Sequence, residues 1–166
     1  KREENTKLFH QMAQKAVDTD PENPDAMSSL SMSYSIKKDL NKRLETAEKA
    51  LELNPSHPRS NFSYGQALTN FGRNEEALSY VNKAIEMDPQ SKKNYEGFFP
   101  LLYIALKDWE NAITWLNTAH ERSPHSRYFG WKAAVYGKMN DLESAKENLN
   151  SFLKERPEIK TLEDYE

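Results

Sequence analysis

The chain has 166 residues, with 26 acidic and 23 basic side chains and a net charge of −3, so it lacks the basic excess that nucleic-acid binding usually needs. It contains no cysteine, which excludes disulfides, a thiolate nucleophile and cysteine-bound zinc, and which fits a cytoplasmic location. No apolar run approaches the roughly 18–20 residues of a membrane-spanning helix, and we expect no membrane insertion.

Prolines recur along the chain at intervals of 34, 34, 35 and 33 residues, at Pro21, Pro55, Pro89, Pro124 and Pro157. An alanine precedes each of the first four prolines by five residues, and a second alanine lies seven residues further back in three of the units. These alanines are Ala16, Ala50, Ala84 and Ala119, and Ala77, Ala112 and Ala145. Landmarks that keep their register over most of the chain indicate an internal repeat.

Each unit between successive prolines is predicted to be a pair of helices. In residues 58–89, apolar side chains recur at helical spacing before and after a turn at residues 72–74. Proline ends the second helix because it cannot continue a helix. Small side chains let two helix backbones approach closely, and a pair of this size cannot bury its apolar face alone. The pairs are therefore expected to stack on their neighbours.

The pattern predicts one all-α domain over residues 1–166. Because the helical pattern is already under way near Lys1, we expect the chain to be a segment of a longer protein. The predicted parts are the second helix of a partial repeat at 1–23, full helix pairs at 24–57, 58–92, 93–125 and 126–159, and the start of a capping or further helix at 160–166.

These landmarks resemble the tetratricopeptide repeat family, in which Trp, Leu-Gly, Tyr, Ala and Pro recur over 34 residues. Residues 58–91 carry the pattern best, with Tyr64, Gly65, Leu68, Gly72, Ala77, Ala84 and Pro89. The resemblance implies a right-handed α-solenoid, a superhelix of stacked antiparallel helix pairs. It also implies a concave groove lined mostly by the first helix of each pair.

Two residues depart from the family pattern. Arg43 occupies a place where alanine is usual, so we expect a looser helix crossing or a side chain that extends outward. Pro100 falls inside a first helix, where proline removes a helical hydrogen bond. The sequence therefore predicts an irregular helix between about residues 94 and 106.

The resemblance implies that the second, fifth, ninth, twelfth and thirteenth residues of each repeat face the groove. On this chain those places combine apolar, amide and guanidinium groups. Amides can satisfy peptide backbone groups, and arginine can bind carboxylates. Phe62 and Leu101 could equally pack between helices. The residues expected to bind a peptide or protein segment are Met32, Arg59, Phe62, Gln66, Asn70, Asn94, Leu101 and Arg127.

Some members of the family hold a C-terminal carboxylate with a clamp of lysine and asparagine. The matching places here are Ser28, Met32, Ser63, Asn94 and Phe98 in one register, and Phe62, Gln66, Phe98, Arg127 and Trp131 in the next. Only Arg127 keeps a cation there. Binding to chaperone C-termini is therefore disfavoured.

The sequence offers little for catalysis, metals or cofactors, and we expect none of them. His120 and His125 are five residues apart, a spacing that does not place two metal ligands on one helix face. Neither a metalloprotease motif nor a glycine-rich phosphate loop occurs.

His57 is expected to be exposed in a turn. The sequon at Asn61 is interpreted as a chance match, because it begins a predicted helix.

Two other functions are compatible with the sequence. Residues 153–164 are similar to repeat tails that follow bacterial nucleotide-cyclase-type domains, which suggests a regulatory or assembly module of a larger bacterial signalling enzyme. Self-association is the other, because solenoid ends expose apolar faces unless they are capped. The apolar residues at the two ends are Leu8, Phe9, Met12 and Ala16, and Ile159, Leu162 and Tyr165.

Overall fold

The computed structural model describes residues 2–159, with side chains from residue 3 onward. All the regular structure in this range is helical, which confirms the predicted all-α class. The predicted cap at residues 160–166, with Leu162 and Tyr165, lies outside the described residues. The chain divides into two compact units, Lys1–Tyr95 and Glu96–Glu166, called here the first and second units.

The first unit begins with one helix and continues with helix pairs. Its helices are α1 (Arg2–Thr19), α2 (Pro24–Ile36), α3 (Leu40–Leu53), α4 (Pro58–Leu68), α5 (Asn74–Met87) and α6 (Lys92–Glu96), whose last residue already belongs to the second unit. A 3₁₀ turn, Thr69–Phe71, extends α4, and another, Pro89–Ser91, precedes α6. Each of α1 to α4 packs against the next helix in the chain.

The second unit repeats this arrangement with four helices, each packed on its successor. They are α7 (Phe99–Ala105), α8 (Trp109–Arg122), α9 (Arg127–Lys138) and α10 (Leu142–Glu155).

Proline and a capping side chain together begin the first helices of two pairs. Pro24 and Pro58 are the first residues of α2 and α4, where the missing N–H costs nothing and the fixed φ favours the helix. Asn23 Oδ1 accepts hydrogen bonds from the backbone of Asp25 and Ala26. His57 Nδ1 accepts one from Ser60 N at 3.3 Å. The side chain of His57 is only 21% exposed, so the expectation of an exposed histidine is wrong.

The turn inside each helix pair uses a left-handed residue. The φ angles of Lys38, Gly72, Lys107 and Asn140 lie between 58° and 71°, a region that is strained for side chains with a Cβ. An aspartate follows three of these four residues and accepts a hydrogen bond from the backbone N–H three residues further on, over 3.0–3.2 Å. These aspartates are Asp39, Asp108 and Asp141.

The shared geometry of these turns predicts opposite effects of two substitutions. A Cβ on Gly72 would meet no atom within 4 Å, so Gly72→Ala costs only backbone strain, about 1 kcal/mol. Lys38→Gly removes that strain and should raise stability. The gain should be only a few tenths of a kcal/mol, because the greater freedom of glycine in the unfolded chain cancels most of it. Urea unfolding followed by circular dichroism measures both. Lys107→Ala, which keeps a Cβ, should change little.

Close contact between paired helices depends on small residues. A Cβ on Gly65 would lie 3.0 Å from the carbonyl oxygen of Ala77, across the α4–α5 contact. Ala50, Ala77, Ala84 and Ala112 are fully buried. Ala119 and Ala145 are half-buried and Ala16 is exposed, because α1 contacts the core through Ala13 and Val17 instead. The packing reason inferred for the alanines thus holds for the inner pairs.

The helix predicted to be irregular is broken in the structure. Helix α6 ends at Glu96 and α7 begins at Phe99, with Pro100 among the first residues of α7. A proline ring clashes with the carbonyl four residues earlier and offers no N–H to it. In the second unit the carboxylate of Glu96 is buried and accepts a hydrogen bond from Arg122 Nη1 at 2.5 Å.

Helix α1 is joined to α2 by a histidine. His10 Nδ1 lies 2.8 Å from Ser33 Oγ, and its ring meets Tyr34 edge-on at 5.2 Å between centroids. Burial lowers the pKa of His10, and the charges of Lys37 and Lys42 lower it further. The opposite side of α1 is uncovered, since Leu8 is 53% and Met12 is 64% exposed. Self-association through this face stays a prediction.

The lowered pKa of His10 makes the stability of the first unit depend on pH. The unfolded chain binds the proton more tightly than the folded chain does, so stability rises with pH and reaches its full value above the unfolded pKa of about 6.5. Below that value the histidine contribution is lost. Proton NMR should give His10 a titration midpoint under 6.5, and a midpoint above 6.5 would contradict the packing described. His10→Gln should reduce the pH dependence of the melting temperature.

Candidate peptide-binding groove

One face of α4 carries four of the residues predicted from the sequence. Arg59, Phe62, Gln66 and Asn70 follow one another at intervals of three or four, so their side chains share one side of the helix and of the turn that extends it. Arg59 and Asn70 are exposed, whereas Phe62 and Gln66 are half-buried. We call this face the α4 stripe.

The α4 stripe borders a cavity of about 340 Å³ in the first unit. Five of the eight predicted residues line it, namely Met32, Arg59, Phe62, Gln66 and Asn94. They come from α2, α4 and α6, which the sequence had assigned to the first helices of successive pairs. The remaining lining residues are Ser28, Ser63, Ser91 and Tyr95.

An aromatic pair forms the apolar part of this cavity. The rings of Phe62 and Tyr95 lie 4.8 Å apart between centroids, and Met32, 37% exposed, borders the same space. Phe62 was expected either to line the groove or to pack between helices. In the structure it lines the cavity and also packs against another helix. Sequence reasoning missed Tyr95, which falls one place beyond the expected position in the helix that Pro100 disrupts.

The polar part of the cavity contains an unpaired acceptor. The side-chain oxygen of Gln66 is shielded from solvent and has no hydrogen-bond partner among the described residues. Such a group costs about 1–3 kcal/mol relative to one that is paired. Arg59 is held loosely, with Nη2 at 3.0 Å from Ser29 Oγ and Nη1 at 3.5 Å from Asp25 Oδ1. The Arg59 guanidinium is therefore available to an acceptor of a ligand, whereas the Gln66 oxygen would first have to turn toward the cavity to meet a donor.

The phenol of Tyr95 stays neutral at physiological pH. Burial raises the pKa of Tyr95, and the charges of Asp88 and Asp25 raise it further, while the nearby guanidinium of Arg59 opposes them. The cavity therefore presents one cation, neutral hydroxyls and amides, and an aromatic wall.

Arg43 is buried rather than extended outward, which corrects the expectation from its sequence position. It is 8% exposed, and its Nη1 donates to Asn70 Oδ1 over 2.7 Å. Its Nε is shielded and has no partner within residues 2–159, and burial lowers the pKa of Arg43. The backbone oxygen of Arg43 accepts from Ser31 Oγ at 2.8 Å. Asn70, expected in the groove, thus holds a guanidinium at the end of the α4 stripe.

The other two predicted residues lie in the second unit and are not brought together. Leu101 is 45% exposed and borders an apolar cavity of about 250 Å³ with Ile104, Trp109, Trp131, Ala134, Val135 and Lys138. The guanidinium of Arg127 lies 5.7 Å from the ring centre of Tyr128 and does not border this cavity.

Other sequence features have structural explanations. Asn61 is 1% exposed, and its Nδ2 donates to the carbonyl oxygens of Pro55 and His57, so the sequon is buried. Within residues 2–159, no three His, Asp or Glu side chains come together as a metal site would need. No helix in that range is both long enough and apolar enough to cross a bilayer.

Successive helix pairs with a cavity lined by their first members define an α-solenoid repeat protein, a class that provides surfaces for protein interaction. Tetratricopeptide repeat models match residues 24–57 and residues 44–92. Residues 24–92 are thus matched as tetratricopeptide repeats. No curated protein matches it significantly.

Three solved structures illustrate the proteins that share this fold. PilW, described as a widely conserved type IV pilus biogenesis factor, is 20% identical over 98% of this chain and 75% of its own, with a TM-score of 0.78. YrrB, described as a TPR protein with an unusual peptide-binding site, is 19% identical over 93% and 79%, with a TM-score of 0.67. TTC0263, a TPR protein of Thermus thermophilus, is 19% identical over 94% and 84%, with a TM-score of 0.66. At these identities the likeness concerns the fold.

Because the side-chain oxygen of Gln66 is unpaired, we expect the parent protein to be less stable than a variant that lacks this oxygen. Gln66→Leu keeps the approximate shape and removes the unpaired acceptor, so the free energy of unfolding should rise by about 1 kcal/mol. Thermal unfolding of the two proteins measures the change. Gln11→Leu, on the exposed surface of α1, is the matched control and should bring no such gain. A lower melting temperature for Gln66→Leu would show that the amide is paired.

Proposed function

We propose that this chain is a non-catalytic scaffold that binds a peptide segment of a protein partner in the cavity beside the α4 stripe. The observation that carries the proposal is the gathering of Met32, Arg59, Phe62, Gln66 and Asn94 around one cavity. The repeat register by itself predicts that these five residues face the groove.

The chemistry of the cavity favours an extended peptide over a small apolar ligand. A peptide backbone offers an N–H to the side-chain oxygen of Gln66 and a C=O to the amide of Asn94. Met32 and the Phe62–Tyr95 pair would hold one apolar side chain, and flexible methionine adapts to several such side chains. Main-chain hydrogen bonds then supply affinity, and the apolar site supplies selectivity.

The apolar cavity of the second unit offers a further contact surface for the same kind of partner. Its lining includes Leu101 and Lys138, both at places that the family pattern assigns to the groove. We also propose a cytoplasmic location, which the absence of cysteine favours.

The proposal predicts that groove variants lose peptide binding while keeping their fold. Peptides would be selected from a random display library on the parent protein, and their Kd measured by fluorescence polarisation. Phe62→Ala should weaken binding at least about tenfold, roughly 1.4 kcal/mol, because aromatic anchors carry much of the energy at such sites. Gln66→Ala should weaken it in the same direction, by removing the acceptor of the peptide N–H.

Matched controls lie outside the cavity. Phe71→Ala removes a phenylalanine that is 43% exposed in the same unit, and Gln11→Ala removes an exposed glutamine of α1. Both should bind like the parent. If Phe71→Ala reduced affinity as much as Phe62→Ala, with circular dichroism unchanged in both, binding would have to be placed elsewhere on the surface.

A further inference from the structure

A buried cation without a counter-ion lies at the end of the α4 stripe. Arg43 is 8% exposed, and no carboxylate in the described part of the chain is within ion-pair distance of its guanidinium. Its side chain makes one hydrogen bond, to the neutral Oδ1 of Asn70. Its Nε is shielded from solvent and donates to nothing within that part of the chain. A guanidinium remains charged at any physiological pH, so a largely buried charge has no opposite charge beside it in the described part of the chain.

Packing does not require this arginine. The corresponding places of the other three full units hold Ala77, Ala112 and Ala145, and Ala77 and Ala112 are fully buried there. Alanine is thus sufficient for the helix crossing. Burying a charge without a partner is costly unless hydrogen bonds or an opposite charge offset it. Within residues 2–159 the one hydrogen bond of its side chain, to Asn70, offsets only part of that cost.

We propose that Arg43 and Asn70 together bind a carboxylate group of the peptide partner. This inference deepens the proposed function, and it rests on that function for the partner being a peptide. The planar guanidinium has N–H groups suited to a carboxylate. Nη2 is not among the shielded atoms, so it is the group that an approaching carboxylate meets first. Asn70 Oδ1 holds Nη1 in place, and the amide NH₂ of Asn70 is left as a neighbouring donor.

The site continues the surface already described. Asn70 follows Phe62 by eight residues on the α4 stripe, which corresponds to about 12 Å along a helix. An extended peptide covers that distance in about four residues. The inferred partner therefore has an acidic group and an apolar side chain separated by about that distance. The carboxylate site differs from the family's clamp, whose places lie on first helices, because Arg43 comes from the second helix α3.

NMR of the full chain tests the proposal directly. The Nε–H signal of Arg43, assigned by its loss in Arg43→Lys, is expected to move downfield and saturate on titration with a carboxylate. N-acetyl-glutamate amide presents a side-chain carboxylate, and N-acetyl-leucine presents a terminal carboxylate. The stronger binder of the two identifies the source of the group. N-acetyl-glutamine amide, which has the same shape without the charge, should leave the signal unmoved.

A variant keeps the test independent of the peptide cavity. Arg43→Ala introduces the residue of the other three units and should fold with the parent's circular dichroism. Its affinity for the better carboxylate, followed through the backbone amide signal of Asn70, should fall at least about tenfold, since hydrogen bonds to charged groups contribute about that much or more. Arg43→Gln serves the same purpose if the alanine variant unfolds. Gln11→Ala, on the exposed surface of α1, should leave carboxylate binding unchanged.

Three outcomes would overturn the carboxylate site. One is an unmoved Nε–H signal at saturating carboxylate, and another is an equal shift with sodium chloride at matched ionic strength. The third is an Arg43→Ala protein that binds carboxylate like the parent. If selected peptides still lost affinity on Phe62→Ala in any of these cases, the peptide cavity would stand and the Arg43 site alone would be wrong.

Discussion

The close approach of helix backbones at small side chains is the constraint from which the other features follow. A methyl group on Gly65 would lie only 3.0 Å from the carbonyl oxygen of Ala77, and Ala50, Ala84 and Ala112 are fully buried. Because paired helices touch at these points, the larger apolar side chains are left to fill the spaces between pairs. In the first unit the first helices then align their outer faces, and the α4 stripe acquires neighbours from α2 and α6 around one cavity.

Two shielded polar atoms without partners among the described residues lie at the α4 stripe, and another, His120 Nδ1, lies in the second unit. Gln66 has a shielded oxygen without a donor, and Arg43 has a buried charge without a counter-ion among the described residues. Each lowers the stability of the free protein, and each would be satisfied by a group that a peptide supplies. In an otherwise regular fold, buried polar groups without partners are expected mainly at functional sites. The two observations therefore support one another, although they concern different atoms and different ligand groups.

Much of the candidate site could be predicted because the repeat has a fixed register. The prolines define the unit length, so the same faces of successive first helices must point the same way. This register predicts that Met32, Phe62 and Gln66 lie together. The register does not predict Tyr95, because the break before Pro100 alters the spacing of that helix. It also does not predict the contact of Asn70 with Arg43, which joins a first helix to the second helix of the preceding pair.

The sequence by itself determined the helical class, the turns between the helices and the small residues at the inner helix crossings, since these depend on local spacing, on proline and on glycine. The tertiary structure alone decided that Arg43 points inward, that His57 caps a helix and that Phe62 meets Tyr95. These outcomes depend on which side chains from distant segments compete for the same space. Burial and hydrogen-bond satisfaction are properties of that shared space, and no single segment of the sequence contains them.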